Sequence, residues 1–268
     1  MITFYKYHGA GNDFVIIDNR SGGFDVNNTE LVKELCHRRF GIGADGVILL
    51  ENPTTELEDF SMVYFNSDGS IGAMCGNGGR CVVHFAYRIL NIVKDPLGVH
   101  FMAVDGEHEA EIIGDEVKLK MQDVTQITER NGHTFLCSGT TPHNVVFVEN
   151  VKESPVVLEG KRFQEIESDP KGVNVNFVEE KINEQGKTVY HVRTYERGVW
   201  DETMACGTGA TSVAIACSHL GKLADNICNI HMPGGNLTIQ FEKADDGTYQ
   251  KIWLTGPAKM VYKGEWEE

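Results

Sequence analysis

Two cysteines stand in nearly the same surroundings in the two halves of a chain of 268 residues. Cys75 begins the run Cys-Gly-Asn-Gly and Cys206 begins the run Cys-Gly-Thr-Gly, and each run leads into sequence with helical spacing of apolar residues. A cysteine at the start of a helix lies against unpaired backbone N–H groups and the positive end of the helix dipole, which favours the thiolate over the thiol. The pattern therefore predicts two reactive sulfurs, each at a helix N-terminus.

The glycines and amides around each sulfur predict a place for a carboxylate. Glycine lets backbone approach a ligand closely, and the N–H groups at a helix N-terminus bind anions. A thiolate on one face of an α-carbon can remove a proton while a thiol on the other face returns one, and the bound carboxylate helps to stabilise the carbanion. We therefore interpret Cys75 and Cys206 as the acid/base pair of an amino-acid racemase or epimerase that needs no cofactor.

The elements that must position the cysteines also come twice in the same order. A strand and a polar turn precede each Cys-Gly-x-Gly run, and a helix follows it. We interpret this as a diverged internal duplication, in which each of two similar domains wraps strands around one long helix. The predicted domains are residues 1–124 and 125–257, and the tail 258–268 is expected to return to the first domain.

Periodicity predicts where these elements lie. Short β-branched runs predict strands at 14–18, 46–50, 117–121, 144–148, 189–193 and 237–241. Helical spacing predicts helices at 30–38, 77–90 and 207–220. The last of these helices is apolar nearly all round, so it should be buried in the middle of its domain.

Composition limits the classes of partner. Hydrophobic residues make up 41% of the chain and charged residues 24%, as in an ordinary soluble globular protein. The net charge of -15 argues against nucleic acid and anionic membranes, which attract basic surfaces. The sequence has no signal-peptide pattern and no apolar run of about 20 residues, so we expect a cytoplasmic protein with a small-molecule substrate and no membrane partner.

The cysteine content predicts thiols rather than disulfides or a metal site. Seven cysteines, an odd number, are scattered through the sequence, which is typical of a reducing compartment. No second Cys or His pair completes a zinc set with Cys75 and Cys81, and no nucleotide-binding glycine motif is present, so we expect neither metal nor cofactor. Free cysteines are usually buried, which predicts core positions for the thiols other than Cys75 and Cys206, namely Cys36, Cys81, Cys137, Cys217 and Cys228.

Several motifs together resemble the diaminopimelate epimerase family. They come in the order typical of that family and span the chain, at 6–14, 41–46, 66–81, 195–199, 205–210 and 232–235. The resemblance implies an α+β fold of two pseudo-symmetric domains, each a β-barrel-like sheet around a central helix, with the active site in the cleft between them. It also implies interconversion of LL- and meso-diaminopimelate, on the route to lysine and peptidoglycan, without a cofactor.

The resemblance further implies a role for each site residue. Cys75 and Cys206 transfer the protons, while His143 and Glu196 tune or orient the thiols. Glu196 also holds the reacting ammonium together with Asn66. The reacting carboxylate is bound by backbone N–H groups of Gly76, Asn77, Gly207 and Thr208. The distal end of the substrate is recognised by Asn12, Asn174 and Arg197. Some members of the family form dimers, so the resemblance leaves a homodimer open.

The sequence departs from the family pattern at two places. Thr141 stands where the family usually has Asn before Pro-His, which puts one contact to the distal end in doubt. The stretch 199–203 makes the spacing between Glu196 and the second cysteine one residue longer than usual. We expect a local bulge in this loop, with Glu202 and Thr203 keeping their places.

Other functions remain open at this point. A racemase of proline, hydroxyproline or histidine could use the same cysteine pair, although Asn12, Asn174 and Arg197 favour a substrate with a second charged end. A histidine racemase is harder to exclude than a proline racemase. Both cysteines are retained, which argues against a binding protein that has lost catalysis. Two thiols at separate helix starts do not form the Cys-x-x-Cys unit of a redox protein.

Overall fold

The computed structural model describes residues 1–130, 132–139, 141–166 and 172–267. The chain divides into two compact units, Met1–Leu119 with Gly256–Glu268, and Lys120–Thr255. Each unit contains a mixed β-sheet and one long helix that begins directly after a Cys-Gly-x-Gly cysteine. No helix in the described part of the chain is long and apolar enough to span a membrane.

The elements follow in chain order. The α-helices are α1 Thr29–Cys36, α2 Gly76–Arg88, α3 Val156–Ile166 and α4 Gly207–His219. The strands are β1 Ile2–Gly9, β2 Asn12–Asp18, β3 Gly46–Glu51, β4 Phe60–Asn66, β5 Ile71–Gly72, β6 Val99–Ala103, β7 Gly106–Ile113, β8 Glu116–Lys120, β9 Ile127–Arg130, β10 His133–Ser138, β11 Thr141–Phe147, β12 Asn174–Ile182, β13 Thr188–Glu196, β14 Asp201–Thr203, β15 Ile227–Met232, β16 Gly235–Lys243, β17 Tyr249–Pro257 and β18 Lys259–Trp266.

The two units repeat the same strand pairing. In the first unit β1 lies antiparallel between β18 and β2, β2 runs parallel to β3, and β3 pairs antiparallel with β4. Strand β4 then pairs antiparallel with β5 and parallel with β6, and β6, β7 and β8 form an antiparallel meander. The second unit has the same pairings. Strand β9 takes the place of β18, and β10 to β17 take the places of β1 to β8 in order. This repetition confirms the internal duplication.

The helix that follows each cysteine lies against the sheet of its own unit. Helix α2 buries the apolar face that its spacing predicts, and it contacts β1, β2 and β3. Helix α4 is buried almost throughout and contacts β10, β11 and β12, as expected for a helix without a polar face. The starts of α2 and α4, where the cysteines lie, are therefore fixed by core packing.

Most of the predicted elements are present, but one helix was not predicted and one burial prediction is wrong. Helix α3 was not predicted, because Val156 and Val157 favour a strand and Gly160 disfavours a helix. Gly160 is needed there because a Cβ at this position would lie 2.3 Å from the ring of Tyr195. Cys137 is exposed rather than buried in the core, since side chains alternate along β10 and its neighbours Leu136 and Ser138 take the buried face.

Candidate active site

Cys75 is the N-cap residue of α2. Its backbone is extended, with φ -85° and ψ 127°, and its carbonyl oxygen accepts the first helical hydrogen bond from Gly79 N at 2.7 Å. Its thiol is half-buried and lies 3.5 Å from Asn12 Oδ1, to which the S–H can donate. The sulfur therefore lies at the helix N-terminus, as the sequence predicts, with an amide oxygen beside it.

The orientation of the Asn12 amide is fixed by the hydrogen bonds of its nitrogen and its oxygen. Asn12 Nδ2 donates to Asp45 Oδ2 at 2.6 Å. A carboxylate only accepts hydrogen bonds, so the nitrogen must face Asp45 and the oxygen must face Cys75. Asn77 Nδ2 donates to the same Asn12 oxygen at 3.2 Å. The amide of Asn12 thus presents an acceptor to the first sulfur.

A cluster of charges supports Asn12 and Asp45. Asp13 pairs with Lys6 at 2.6 Å and with Arg38 at 2.8 Å, and Arg38 also pairs with Asp45 at 2.7 Å. Burial alone would raise the pKa of the Asp13 carboxyl, but the hydrogen bonds and charges of Arg38 and Lys6 outweigh it and lower this pKa to about 2. The Asp13 carboxylate is therefore ionised at neutral pH and keeps its acceptor role.

A fully buried arginine holds the first turn of α2. Arg80 Nη1 donates to Gly76 O at 3.1 Å, Arg80 Nη2 donates to Asn77 Oδ1 at 2.9 Å, and Arg80 Nε donates to Pro257 O at 3.4 Å. Its guanidinium brings a positive charge close to Cys75 inside an acidic protein. This residue was not predicted from the sequence, although an arginine on the buried face of a helix pattern is itself a signal.

Asn66 lies in the turn that precedes Cys75. It ends β4, and its Nδ2 donates to Ser70 Oγ at 3.0 Å. Gly69 between them has φ +82°, a left-handed conformation that favours glycine. Asn66 is thus held by the polar turn that the sequence pattern predicts.

Cys206 is the N-cap residue of α4 and is 4% exposed. Its sulfur accepts a hydrogen bond from Gly209 N at 3.3 Å and lies 3.5 Å from Thr208 Oγ1. Asn174 Nδ2 donates to the same sulfur at 3.8 Å. N–H donors therefore surround the second sulfur, and donors of this kind stabilise a thiolate.

The orientation of the Asn174 amide is also fixed, in the opposite sense to that of Asn12. Asn174 Oδ1 accepts from the backbone N–H of Arg197 at 2.8 Å, so its nitrogen faces Cys206. The Arg197 side chain donates to Gly172 O at 3.4 Å. One sulfur thus faces an amide oxygen and the other an amide nitrogen.

The loop with the extra residue lies between β13 and β14. Strand pairing joins Thr194 to Thr203, Tyr195 to Glu202 and Glu196 to Asp201. The extra residue is therefore accommodated in the connection 197–200, where Trp200 adopts φ +59° and is 50% exposed.

The pairing keeps the acidic and hydroxyl side chains of this hairpin in register. Thr203 Oγ1 donates to Glu196 Oε2 at 2.6 Å, and Glu202 pairs with Arg193 at 2.6 Å. Thr141 begins β11 opposite Ser138. Glu196 is therefore anchored through Thr203 despite the longer loop.

His143 is fully buried on β11. Its Nδ1 lies 3.1 Å from Asn176 Nδ2. Burial, and to a smaller extent the charge of Arg197, lower the pKa of His143 to about 3. The imidazole is therefore neutral at physiological pH.

The two repeats differ behind the start of each helix. A Cβ at Gly78 in α2 would lie 3.1 Å from the Ile48 side chain and 3.5 Å from Phe14, whereas a Cβ at Gly209 in α4 would lie 2.4 Å from Asn176 Oδ1. The strand registers of the two repeats make three pairs of positions equivalent. Phe14 corresponds to His143, Ile48 to Asn176 and Tyr64 to Thr194. The layer behind the first helix start is mainly apolar, and the layer behind the second is polar.

The polar layer of the second repeat was not predicted from the sequence. Asn176 alternates with Asn174 along β12, so both side chains point to one face of the sheet, and Thr194 is paired with Asn176 on β13. Polar residues at consecutive core-facing positions of a strand are the signal that could have revealed them. In the described part of the chain, no group of three His, Cys, Asp or Glu side chains could hold a metal ion.

Comparisons with known proteins match this chain over nearly its whole length. The sequence model of the family described as diaminopimelate epimerase matches residues 4–127 and 135–261. A protein named diaminopimelate epimerase from Flavobacterium psychrophilum is 45% identical over 262 residues, which cover 97% of this chain and 98% of that protein. Another from Chlorobaculum tepidum is 42% identical over 267 residues, which cover 96% of this chain and 98% of that protein.

A solved structure supports the predicted fold class. The crystal structure of the phenazine biosynthesis protein of the PhzF family from Bacillus anthracis is similar with a TM-score of 0.78, covering 100% of this chain and 99% of that chain. Its sequence is 15% identical, so the likeness concerns the fold alone, and it confirms the two pseudo-symmetric α+β domains. With the family match over both repeats, this chain belongs to the diaminopimelate epimerase family.

Proposed function

We propose that this chain is an isomerase that interconverts LL- and meso-diaminopimelate by proton transfer at the α-carbon. The observation that carries the proposal is the equivalent position of Cys75 and Cys206, each the N-cap of a 13-residue helix in one of two matching repeats. Inversion in both directions needs two groups of the same kind, and a duplicated cysteine supplies them.

The helix starts supply the anion site in this proposal. The backbone N–H groups of Gly76, Asn77, Gly207 and Thr208 lie in the first turns of α2 and α4 and bind the carboxylate of the reacting centre. As the α-proton leaves, negative charge moves onto this carboxylate, where hydrogen bonds and helix dipoles stabilise it. Arg80 adds a buried positive charge at the first of these helix starts.

The proton transfer balances without any other reactant. One sulfur, as thiolate, takes the α-proton and becomes a thiol. The other sulfur, as thiol, gives its proton to the opposite face of the carbanion and becomes a thiolate. The product leaves an enzyme in which the two sulfurs have exchanged states, and the reverse reaction restores them. Because both thiols must stay reduced, we also propose a cytoplasmic setting.

The remaining side chains orient the substrate in this proposal. Glu196, anchored by Thr203, and Asn66, held in its turn by Ser70, bind the reacting ammonium. Asn12, Asn174 and Arg197 bind the distal amino-acid group. In the structure both asparagine amides contact the sulfurs, so substrate binding must exchange those contacts for contacts to the distal group.

Deuterium exchange tests this function and separates it from the nearest alternatives. The enzyme is incubated in heavy water with LL-diaminopimelate, L-histidine or L-proline, and deuterium at the α-carbon is followed together with product stereochemistry. We expect exchange and inversion with diaminopimelate, and loss of inversion in both Cys75→Ala and Cys206→Ala. Inversion of histidine or proline, without deuterium exchange into diaminopimelate, would overturn the assignment of diaminopimelate as the substrate. Near-normal inversion in either variant would overturn the two-sulfur scheme.

A further inference from the structure

The polar layer behind α4 fixes the hydrogen-bonding state of His143. Asn176 Nδ2 lies 3.2 Å from the backbone carbonyl oxygen of Asn144 and 3.1 Å from His143 Nδ1. A carbonyl oxygen only accepts, so the amide nitrogen of Asn176 must be on this side. Thr194 Oγ1 donates to the other end of the amide, Asn176 Oδ1, at 3.0 Å. The amide orientation is thus set by two independent partners.

This orientation determines where the imidazole carries its proton. The Asn176 amide nitrogen has only N–H bonds to offer, so His143 Nδ1 must accept from it and carry no hydrogen. The ring is neutral, as its pKa of about 3 requires at physiological pH, so its single hydrogen lies on Nε2. Asn176, Thr194 and His143 are each 0% exposed, which shields the arrangement from competing water.

The Nε2–H group is a buried donor that no described residue accepts. An unpaired buried donor is costly, so in a native protein it calls for an explanation, such as a bound ligand, ion or water that accepts from it. His143 is the strand neighbour of Asn174, about 4.8 Å away across the sheet, and Asn174 contacts the sulfur of Cys206. The donor therefore belongs to the same layer of side chains as the second sulfur.

We propose that Asn176 is a positioning residue that locks His143 as the Nε2–H tautomer, so that the ring offers a fixed hydrogen-bond donor to the anion at the Cys206 helix start. The anion is the substrate carboxylate, because no described residue, Cys206 included, accepts from Nε2. This inference rests on the proposed function for its role in catalysis, but the tautomer itself is a property of the enzyme without substrate. The apolar pair Phe14 and Ile48 supplies no such donor in the first repeat.

Nitrogen NMR of the unliganded enzyme tests the tautomer directly. Protein labelled with ¹⁵N at histidine gives separate Nδ1 and Nε2 shifts, and the signals that disappear in His143→Gln identify this ring among the 10 histidines. We expect a protonated Nε2 and an unprotonated Nδ1, unchanged from pH 5 to pH 8. A protonated Nδ1, or an imidazolium in this range, would overturn the proposal whatever the substrate proves to be.

Two variants test the role of Asn176. Asn176→Asp replaces the donor by a carboxylate of the same shape, so the proton should move to Nδ1 and kcat/KM should fall roughly ten- to a hundred-fold, as for other partners that fix a functional histidine. The kcat/KM profile should also become pH-dependent, because the carboxylate favours the imidazolium. Thr194→Val is the matched control, since it removes the outer hydrogen bond but keeps both contacts of Asn176 Nδ2, and it should retain the Nε2–H signal. An Asn176→Asp enzyme with Nδ1 still unprotonated, or with an unchanged pH profile, would overturn the proposal.

Discussion

Asn12 presents an oxygen to Cys75, whereas Asn174 presents an N–H group to Cys206. An acceptor beside a sulfur stabilises the thiol, and a donor stabilises the thiolate. The difference does not come from the asparagines themselves, which are the same residue type. It comes from the groups behind them, the Asp45 carboxylate and the Arg197 backbone N–H.

Removal of the Asp45 carboxylate should make Cys75 more reactive. In Asp45→Ala only the 3.2 Å hydrogen bond from Asn77 still opposes a turn of the Asn12 amide. A turned amide would donate to the sulfur, and a hydrogen bond worth about 1 kcal/mol should raise the rate of Cys75 alkylation by up to about five-fold. The measurement is iodoacetamide labelling at pH 7, followed by mass spectrometry of the Cys75 peptide with the Cys206 peptide as internal reference. Arg38→Gln is the matched control, because it removes a cation from Asp45 but leaves the carboxylate on Asn12. An unchanged or slower Cys75 rate in Asp45→Ala would contradict the orienting role.

At the scale of elements, α3 is held by a close helix-to-strand contact. Its Gly160 lies over the ring of Tyr195, where a Cβ would come within 2.3 Å of the ring. Gly160→Ala should therefore lower the free energy of unfolding by about 1–3 kcal/mol, the usual cost of overpacking a core. Denaturant unfolding measures the change. Gly23→Ala, whose new Cβ would lie 3.9 Å from Ser21 Oγ, serves as the control and should stay within about 0.5 kcal/mol of the parent. An equal effect of the two substitutions would show that α3 can move away from Tyr195.

The same scale shows what the sequence can and cannot predict. Strands such as 14–18 and 46–50 could be predicted because their apolar residues are continuous in the sequence. Helix α4 could be predicted because its apolar segment is longer than a typical strand. The cysteine pair could be predicted because the duplication repeats the sequence motif around each cysteine and the helix pattern that follows it. Arg80 and Asn176 could not be found in this way, since their roles depend on partners far along the chain, Pro257 and His143.

At the scale of the whole molecule, acidification should destabilise the protein in two stages. The folded pKa of His143 is about 3, below its ordinary value of about 6.5, so the unfolded chain binds a proton first and stability falls as pH drops below about 6.5. The folded pKa of Asp13 is about 2, so its contribution is present above the ordinary value of about 3.9 and is lost as pH falls toward 2. Both effects have the same sign.

His143→Phe isolates the first stage, because it installs the residue found at the equivalent position of the other repeat. Between pH 6 and pH 4 the slope of unfolding free energy against pH should decrease by about 1.4 kcal/mol per pH unit, the value for one proton. Urea unfolding at a series of pH values measures this slope. His37→Phe makes the same substitution at an exposed position and serves as the comparison. An unchanged slope in His143→Phe would mean that His143 titrates normally in the folded protein.

The position of β18 has a consequence for the order of the chain. In the second repeat β9 directly precedes β10 and pairs with it, with Arg130 opposite His133. In the first repeat β18 takes the place of β9 beside β1, with Trp266 opposite Ile2, although β18 follows β1 in the chain by the length of both repeats. The first repeat is thus a circular permutant of the second. During synthesis the second repeat is complete before the ribosome delivers β18, the strand that closes the first, and a short linker from β18 to β1 would allow the chain to be opened elsewhere.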